Sequence, residues 1–257
     1  MKRIIFSIYT NTVDKVGYSV TDYKLDQFEK YKDKLVERKQ IYADKCSADF
    51  VLVETVKSDF VDIQFEKIRL LEEYAKTYDE VLYLDFDVIP SKLARNIFEC
   101  IDSSKISMHP LDRPLNGTDM RTFLRNACFD SQNMFVKTAA KKSMLVLEGL
   151  LPNDFVYNTG VILGNSSAIV ELKFTERLDE MNDLMEDIKD DHMFPSQIGD
   201  HFVPNNEVYI SYLIERYNIP HNDLTMNWNY IMDDIETIPD AKADFIHCVS
   251  KDFKLVV

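Results

Sequence analysis

Short apolar runs alternate with longer charged segments along the first third of the chain. Apolar runs bounded by polar residues are typical of buried strands, whereas apolar residues at helical spacing within a charged segment predict an amphipathic helix. Strand, helix and strand in succession predict parallel β-α-β units. The predicted elements are strands at 4–9, 50–53 and 80–84 and helices over 22–45 and 65–75.

The pattern changes beyond residue 108. The segment 108–132 is polar and contains Pro110, Pro114 and Gly117, which predicts a functional loop rather than a regular element. The remaining predicted elements are a helix over 137–150, a strand at 155–163, a long acidic helix over 167–190, a helix over 205–217 and a short strand at 245–249. We therefore predict a single α/β domain over 1–257, with a mixed and mainly parallel sheet flanked by helices.

Charge and cysteine usage limit the possible partners. The chain has 30 Lys and Arg against 44 Asp and Glu, a formal charge of −14, so it repels nucleic acid and anionic membranes at long range. Its four cysteines lack the close spacing of a zinc or redox motif, which favours free thiols. We find no secretory leader and no apolar run long enough to span a bilayer. These features predict a soluble cytoplasmic protein, while its oligomeric state is unknown.

Two aspartates follow the third predicted strand. Side chains alternate along a strand, so Asp85 and Asp87 share one face and Phe86 occupies the other. The pair ends an apolar run, which places it at the carboxyl edge where open α/β sheets bind ligands. Two adjacent carboxylates repel each other unless a cation or proton intervenes. The pair therefore predicts a divalent metal site with oxygen ligands.

Three rival interpretations of the pair stay open from the residues alone. The first is that the Asp-x-Asp triplet has no metal-binding role and arose by chance or as the cap of a strand end, because the chain is acidic. Phosphatases of the haloacid dehalogenase type begin with Asp-x-Asp-x-Thr/Val, which Asp85-Phe86-Asp87-Val88 also fits. In those enzymes the motif lies on the first strand and leads into a small Gly-containing turn, whereas here two strands precede it and Ile89-Pro90 follows. The third interpretation is a nucleotide-binding protein without catalysis.

Several further segments occur in an order that resembles one enzyme family. They are 65–68 leading into 78–85, Tyr157-Asn158-Thr159-Gly160 with the apolar run after it, Asn206-Glu207, Met226-Asn227-Trp228-Asn229, and Ile246-His247 with Lys251. In this order they resemble the GT-A fold glycosyltransferases, especially the glycogenin and bacterial lipopolysaccharide galactosyltransferase group. Two departures stand out: Asn206-Glu207 replaces Asp-Gln, and the family's glycine after the closing histidine is missing.

The resemblance implies a function and a set of site residues. The implied reaction transfers a hexose or pentose from a nucleotide diphosphate donor, with UDP favoured, to a glycan or other hydroxyl acceptor. It implies Mn²⁺ or Mg²⁺ held by Asp85, Asp87 and His247, with residues 1–107 as the donor-binding half and 108–257 as the acceptor-binding and metal-completing half. The implied donor-binding residues are Ser7, Tyr9, Thr10, Arg38, Tyr42, Lys67, Asp85, Phe86, Asp87, Asn158, Thr159, Gly160 and Lys251.

Asn158 and Glu207 are the implied catalytic residues. A carboxylate such as Glu207 can remove the acceptor's proton in an inverting reaction. The amide at the matching position of retaining relatives instead helps to hold the sugar, so inversion and retention both stay open. Glu207 also fits a plain helix N-terminal acid. For the acceptor we expect contacts in the 108–132 loop and the 190–205 region, from Asp112, Asp119, Arg121 and His201.

Overall fold

The computed structural model describes residues 1–10, 22–55, 64–111, 134–190, 196–232 and 242–255. The chain divides into two compact units, each described by itself below. The first unit comprises Met1–His109, Thr159–Glu171 and Pro220–Val257, and the second comprises Pro110–Asn158 and Leu172–Ile219. The prediction of one domain over 1–257 stays a prediction.

Nine strands are assigned within the described residues. In chain order they are β1 Arg3–Ile8, β2 Asp49–Val53, β3 Glu80–Leu84, β4 Val88–Pro90, β5 Ile106–Leu111, β6 Val156–Asn165, β7 His221–Asp223, β8 Tyr230–Ile231 and β9 Phe245–His247. Six form a sheet of order β2-β1-β3-β6-β5-β7, and three form a smaller sheet of order β4-β9-β8. Strand β1 pairs in parallel with β2 and β3, β5 pairs in parallel with β7, and β3 pairs antiparallel with β6. The predicted α/β class with a mixed, mainly parallel sheet is confirmed.

The helices occupy the segments between these strands. In chain order the described α-helices are α1 Asp22–Cys46, α2 Phe65–Tyr74, α3 Ile97–Cys100, α4 Met134–Leu147, α5 Ser166–Leu172, α6 Leu178–Asp190, α7 Ser196–Gly199 and α8 Asn206–Arg216. Two short 3₁₀ helices lie at Met226–Trp228 and Phe253–Leu255. None of the described helices combines the length and apolarity needed to cross a lipid bilayer.

The core of the first unit explains why the sequence pattern predicted these elements. Every residue of β3 is buried, as expected for a central strand that is covered on both faces. Leu82 and Leu84 of β3 pack in one hydrophobic cluster with Ile5 of β1 and Tyr42 of α1. Burying a large apolar side chain contributes roughly 1.5–3 kcal/mol, so this periodicity determines which face of each element points inward.

The acidic segment 167–190 forms two helices, so the prediction of one long helix is wrong. Helix α5 ends at Leu172, and Lys173 has φ 46°. A left-handed residue cannot continue a right-handed helix, because the backbone leaves the repeating hydrogen-bond pattern. Helix α6 then starts at Leu178 and buries Met181, Met185 and Ile188 on one face, which confirms the predicted apolar stripe.

The aspartate pair lies in a turn and not within the strand. Strand β3 ends at Leu84, and the amide of Val88 donates to the carbonyl of Asp85 over 2.9 Å. Pro90, which follows the pair, is the last residue of β4. Of the predicted loop 108–132, the first residues belong to β5, and 112–132 lies outside the described residues.

Candidate metal centre and its surroundings

Three side chains that were predicted to bind a metal converge in the first unit. Asp85, Asp87 and His247 each offer one ligand atom, and these atoms all lie within 4.8 Å of one another. Strands β4 and β9 pair antiparallel with Val88 opposite His247, and this pairing brings the imidazole beside the aspartate turn. Its Nε2 lies 3.5 Å from Oδ2 of Asp87. Pairing of two short strands therefore completes a cluster that the aspartates begin.

The donor set fits a divalent cation. Two carboxylates and an imidazole suit Mn²⁺, and Mg²⁺ also accepts carboxylate oxygens. Nδ1 of His247 lies 3.0 Å from Oδ1 of buried Asn229. An amide oxygen can only accept, so Nδ1 carries a proton, and Nε2, which faces Asp87, is the nitrogen that would bind a metal. An outer partner of this kind is usual for a metal-binding histidine.

Cationic side chains flank both aspartates. Nζ of Lys67 lies 3.0 Å from Oδ1 of Asp85, and Lys251 forms an ion pair with Asp87. Burial by itself would raise the pKa of Asp87, but the charges of Lys251 and His247 outweigh it and hold that pKa well below its usual range. Asp87 is therefore a carboxylate even though it is buried.

Tyr83 contributes a further hydrogen bond to Asp85. Its hydroxyl donates to Oδ1 of Asp85 over 2.5 Å. Burial, together with the nearby charge of Asp85, raises the pKa of Tyr83 well above its usual value. The phenol therefore keeps its proton and remains a hydrogen-bond donor to this carboxylate.

Lys251 has a strained backbone. Its φ is 63°, in the left-handed region that side chains other than glycine rarely adopt. The amide of Lys251 donates to the carbonyl of Cys248 over 3.0 Å, closing a turn directly after β9. Strain of this kind persists where surrounding contacts impose it, often at functional sites. The turn after β9 therefore brings the ammonium of Lys251 to Asp87.

Strand β6 contributes two of the predicted donor-binding residues to this neighbourhood. The carbonyl of Gly160 accepts a 2.8 Å hydrogen bond from the amide of Asp85. Oγ1 of buried Thr159 lies 3.3 Å from Nζ of Lys67. Gly160 therefore bonds the aspartate turn directly, and Thr159 contacts the lysine that pairs with Asp85.

Tyr9 and Phe86, which were predicted to contact the nucleotide, belong to an aromatic cluster. Their ring centroids lie 4.6 Å apart, and the ring of Phe28 lies 5.7 Å from that of Phe86. Nζ of Lys32 lies 4.6 Å from the centroid of the Tyr9 ring. Tyr9 and Thr10 are both half-buried. Base stacking on Tyr9 stays a prediction.

Ser7, Arg38 and Tyr42 have partners within the protein. The hydroxyl of Ser7 donates to the carbonyl of Leu84 over 2.6 Å, and the Tyr42 hydroxyl donates to the carbonyl of Arg95 over 2.8 Å. Arg38 donates to a backbone carbonyl over 3.2 Å. These contacts hold the strand ends and α1 together, and the predicted contacts to a nucleotide stay predictions.

Lys39 was not singled out by the sequence, although its position carried a signal. It lies on the same stripe of α1 as Leu35, Tyr42 and Cys46, where only apolar residues are expected. Its side chain is fully buried, and burial lowers its pKa to about 7. The amino group donates to the carbonyls of Phe86 and Val88.

In the second unit, Asn158 and Glu207 are in contact. Nδ2 of Asn158 donates to Oε1 of Glu207 over 2.8 Å, and Nζ of Lys137 lies 2.6 Å from Oε2. Glu207 and Lys137 are both buried. Oδ1 of Asn205 accepts hydrogen bonds from the amides of Glu207 and Val208, which confirms the predicted start of the helix there. Lys137 is the partner that sequence reasoning missed.

The predicted acceptor residues are only partly described. His201 is half-buried, and its amide donates to the carbonyl of Ile198 over 3.1 Å. Asp112, Asp119 and Arg121 lie outside the described residues. The acceptor contacts therefore stay predictions.

No family model matches the sequence, and no curated protein matches it. Among solved structures, the chain is similar to a glycosyltransferase involved in the glycosylation of the major capsid of PBCV-1, with 14% identity, 100% of both chains covered and a TM-score of 0.49. It is also similar to mouse xyloside xylosyltransferase 1 in its apo form, with 10% identity, 96% of this chain and 98% of that chain covered and a TM-score of 0.47.

Proposed function

We propose that the protein is a metal-dependent glycosyltransferase that moves a hexose or pentose from a nucleotide diphosphate donor to a glycan or other hydroxyl acceptor. UDP is the favoured nucleotide. The observation that carries the proposal is the convergence of Asp85, Asp87 and His247, three residues that the family resemblance places in one metal site. The order of the other resembling segments along the chain supports the same family.

The donor set supports Mn²⁺, with Mg²⁺ as the alternative. A bound divalent cation stabilises the negative charge that gathers on the departing diphosphate. Asp85 and Asp87 are the carboxylates that would hold it, and the protonated Nδ1 of His247 keeps Nε2 directed at the same place. Both aspartates are half-buried or buried, which strengthens their attraction for a cation relative to an exposed pair.

Lys67 and Lys251 are proposed to neutralise the donor. Each ammonium group already lies against one of the metal-binding aspartates. A phosphate or sugar oxygen bound beside the metal would therefore meet two point charges within the same cluster. Thr159 supports this arrangement through its contact with Lys67.

Glu207 is proposed to orient Asn158 and not to act as the general base. Both oxygens of its carboxylate already accept hydrogen bonds, one from Asn158 and one from Lys137. An acceptor hydroxyl would have to compete with these partners for access to the carboxylate oxygens. With Nδ2 of Asn158 held by Glu207, the amide oxygen has a defined direction for a sugar hydroxyl.

Substitution of the aspartates tests the proposal. In the Asp85→Ala/Asp87→Ala double variant we expect no Mn²⁺-dependent binding of UDP or UDP-sugars by isothermal titration calorimetry, and no hydrolysis of UDP-sugars. Asp102→Asn is a matched control, because Asp102 is an exposed acid of the same unit whose carboxylate accepts hydrogen bonds from Ser104. Mn²⁺-dependent UDP binding that survives in the double variant would contradict the proposal.

Two assays distinguish the other candidate functions. A haloacid dehalogenase-type phosphatase would release phosphate from p-nitrophenyl phosphate without binding UDP-sugars. A non-catalytic nucleotide-binding protein would be stabilised by UDP-sugars with Mn²⁺ but would glycosylate no acceptor. NMR of the anomeric proton of a product would decide between retention and inversion.

A further inference from the structure

Four backbone carbonyls lie along the turn that presents the metal-binding aspartates. The carbonyl of Asp85 accepts from the amide of Val88, and that of Asp87 accepts from the amide of Cys248, each over 2.9 Å. The first of these donors belongs to β4, and the second belongs to the residue directly after β9. The remaining two carbonyls, of Phe86 and Val88, need donors from elsewhere, because buried backbone groups are almost always paired.

One side chain provides both donors. Nζ of Lys39 lies 2.8 Å from the carbonyl oxygen of Phe86 and 2.7 Å from that of Val88. The two acceptors are the residues on either side of Asp87. A neutral amine has two N–H donors and an ammonium has three, so either protonation state can make both bonds. Lys39 therefore bridges the backbone across a metal ligand.

The position of Lys39 is fixed by the packing of α1. Leu35, Tyr42 and Cys46 lie on the same stripe of this helix and are buried in the two hydrophobic clusters of the first unit. Nζ of Lys39 also lies 5.2 Å from the centroid of the Phe86 ring. The amino group has little freedom to move, because both its helix and its aromatic neighbour are held by the core.

We propose that Lys39 is a positioning residue of the metal centre, which fixes the backbone of the Asp85–Val88 turn so that Asp87 is presented to the cation. Outer partners that orient metal ligands commonly affect affinity strongly, and here the partner acts on the ligand's backbone. The inference needs a metal at Asp85, Asp87 and His247, as in the proposed function, but it does not depend on glycosyl transfer.

Mn²⁺ binding by the full chain tests this inference, measured by electron paramagnetic resonance of free and bound Mn²⁺. Lys39→Met keeps the length and apolar stem of the side chain and removes both donors. We expect its Kd for Mn²⁺ to rise about 10-fold or more, with broadening of the bound-Mn²⁺ spectrum as the turn loses a single geometry. Circular dichroism under the conditions of the binding measurement establishes that the variant is folded.

Lys45→Met is the matched control. Lys45 lies on the same helix, and its Nζ donates to the carbonyl of Ala94 over 2.5 Å, beyond the metal-binding turn. We expect this variant to lose a comparable contact between α1 and the same stretch of chain while its Mn²⁺ affinity and spectrum stay those of the unaltered protein. An equal loss of affinity in both variants would show a general effect of α1 and overturn the inference.

Lys39→Gln provides a second test if Lys39→Met does not fold. The shorter amide can reach one carbonyl at most, so we expect a smaller rise in Kd, about 3- to 10-fold, within or below the range for lost outer partners. Unaltered Mn²⁺ affinity in either folded variant would overturn the role of Lys39. Absence of Mn²⁺ binding by the unaltered protein would instead overturn the metal site itself, and the inference with it.

Discussion

Oδ1 of Asn229 lies 3.0 Å from Nδ1 of His247, inside the buried part of the first unit. The asparagine is part of the segment 226–229, whose family resemblance did not assign it a role. The contact with His247 gives Asn229 a role, because it fixes both the proton on Nδ1 and the direction of the imidazole ring. Trp228, the preceding residue, packs against Phe245 with ring centroids 5.4 Å apart and so secures this segment beside β9.

Replacing Asn229 should weaken metal binding without removing any ligand. In Asn229→Ala the imidazole can rotate and change tautomer, so we expect the Kd for Mn²⁺ to rise about 10- to 100-fold by calorimetry. Asn96→Ala is the control, because Asn96 caps α3 and lies outside the cluster. That control should lose about 0.5–2 kcal/mol of stability with its Mn²⁺ affinity intact. Equal Mn²⁺ affinities in both variants would exclude this role of Asn229.

The buried pair of Lys137 and Glu207 should show strong coupling in a double-mutant cycle. Either Lys137→Met or Glu207→Gln leaves a buried group without its charged partner, which typically costs about 3–5 kcal/mol. The double variant should regain much of this loss, because neither charge is then left alone. Urea denaturation of the four proteins measures the coupling.

The exposed pair of Lys173 and Glu176 serves as the reference for that cycle. Exposed ion pairs typically contribute about 0–1 kcal/mol, so we expect a small coupling there. A coupling for Lys137 and Glu207 that is no larger than this reference would be incompatible with the buried contact. The activity of Glu207→Gln is informative as well: a loss of about 100-fold or more in kcat, with stability restored by Lys137→Met, would restore Glu207 as the general base.

Lys39 should make stability depend on pH above neutrality. Burial lowers its pKa to about 7 in the folded protein, from a value of 10.5 when exposed. Between these values the unfolded chain binds one more proton than the folded chain, so raising the pH favours the folded state. The effect approaches about 1.4 kcal/mol per pH unit for one group.

Urea denaturation from about pH 7 to pH 9 checks this for the unaltered protein and Lys39→Met, both free of metal. The upper limit is set by Cys46 and Cys248, because burial raises the pKa of both thiols and stability falls once they ionise in the unfolded chain. Relative to the variant, the unaltered protein should gain stability with rising pH. Parallel pH profiles would show that the buried amine does not titrate in this range.

Tyr9 permits a test of the predicted nucleotide contact. If its ring stacks on the base, Tyr9→Leu should raise the Kd for UDP about 10-fold, since base stacking contributes about 1–3 kcal/mol. Tyr31→Leu is the matched control, because the Tyr31 ring packs on Phe253, 6.1 Å away, in the same hydrophobic cluster. If both variants lose stability but bind UDP equally well, Tyr9 has a packing role only.

Much of the first unit could be predicted from periodicity. The strands and helices of 3–84 occur where apolar spacing placed them, because the inward face of each element is encoded locally. The break at Lys173 could not be predicted, because a left-handed backbone at a residue other than glycine leaves no pattern in the sequence. Strands β4, β7 and β8 were missed because segments of two or three residues are too short to show alternation, and β5 was missed because it runs into the Pro110 segment that was predicted as a loop.

That Asp85 and Asp87 follow a buried strand and lie close together could be worked out from the sequence alone, because their spacing of two residues is local. Their surroundings depend on tertiary contacts. The pairing of β4 with β9 brings His247 to the pair, and the packing of α1 brings Lys39 beneath the turn. Both depend on contacts between segments far apart in the chain, and such contacts follow from how whole elements pack, which local residue spacing does not encode.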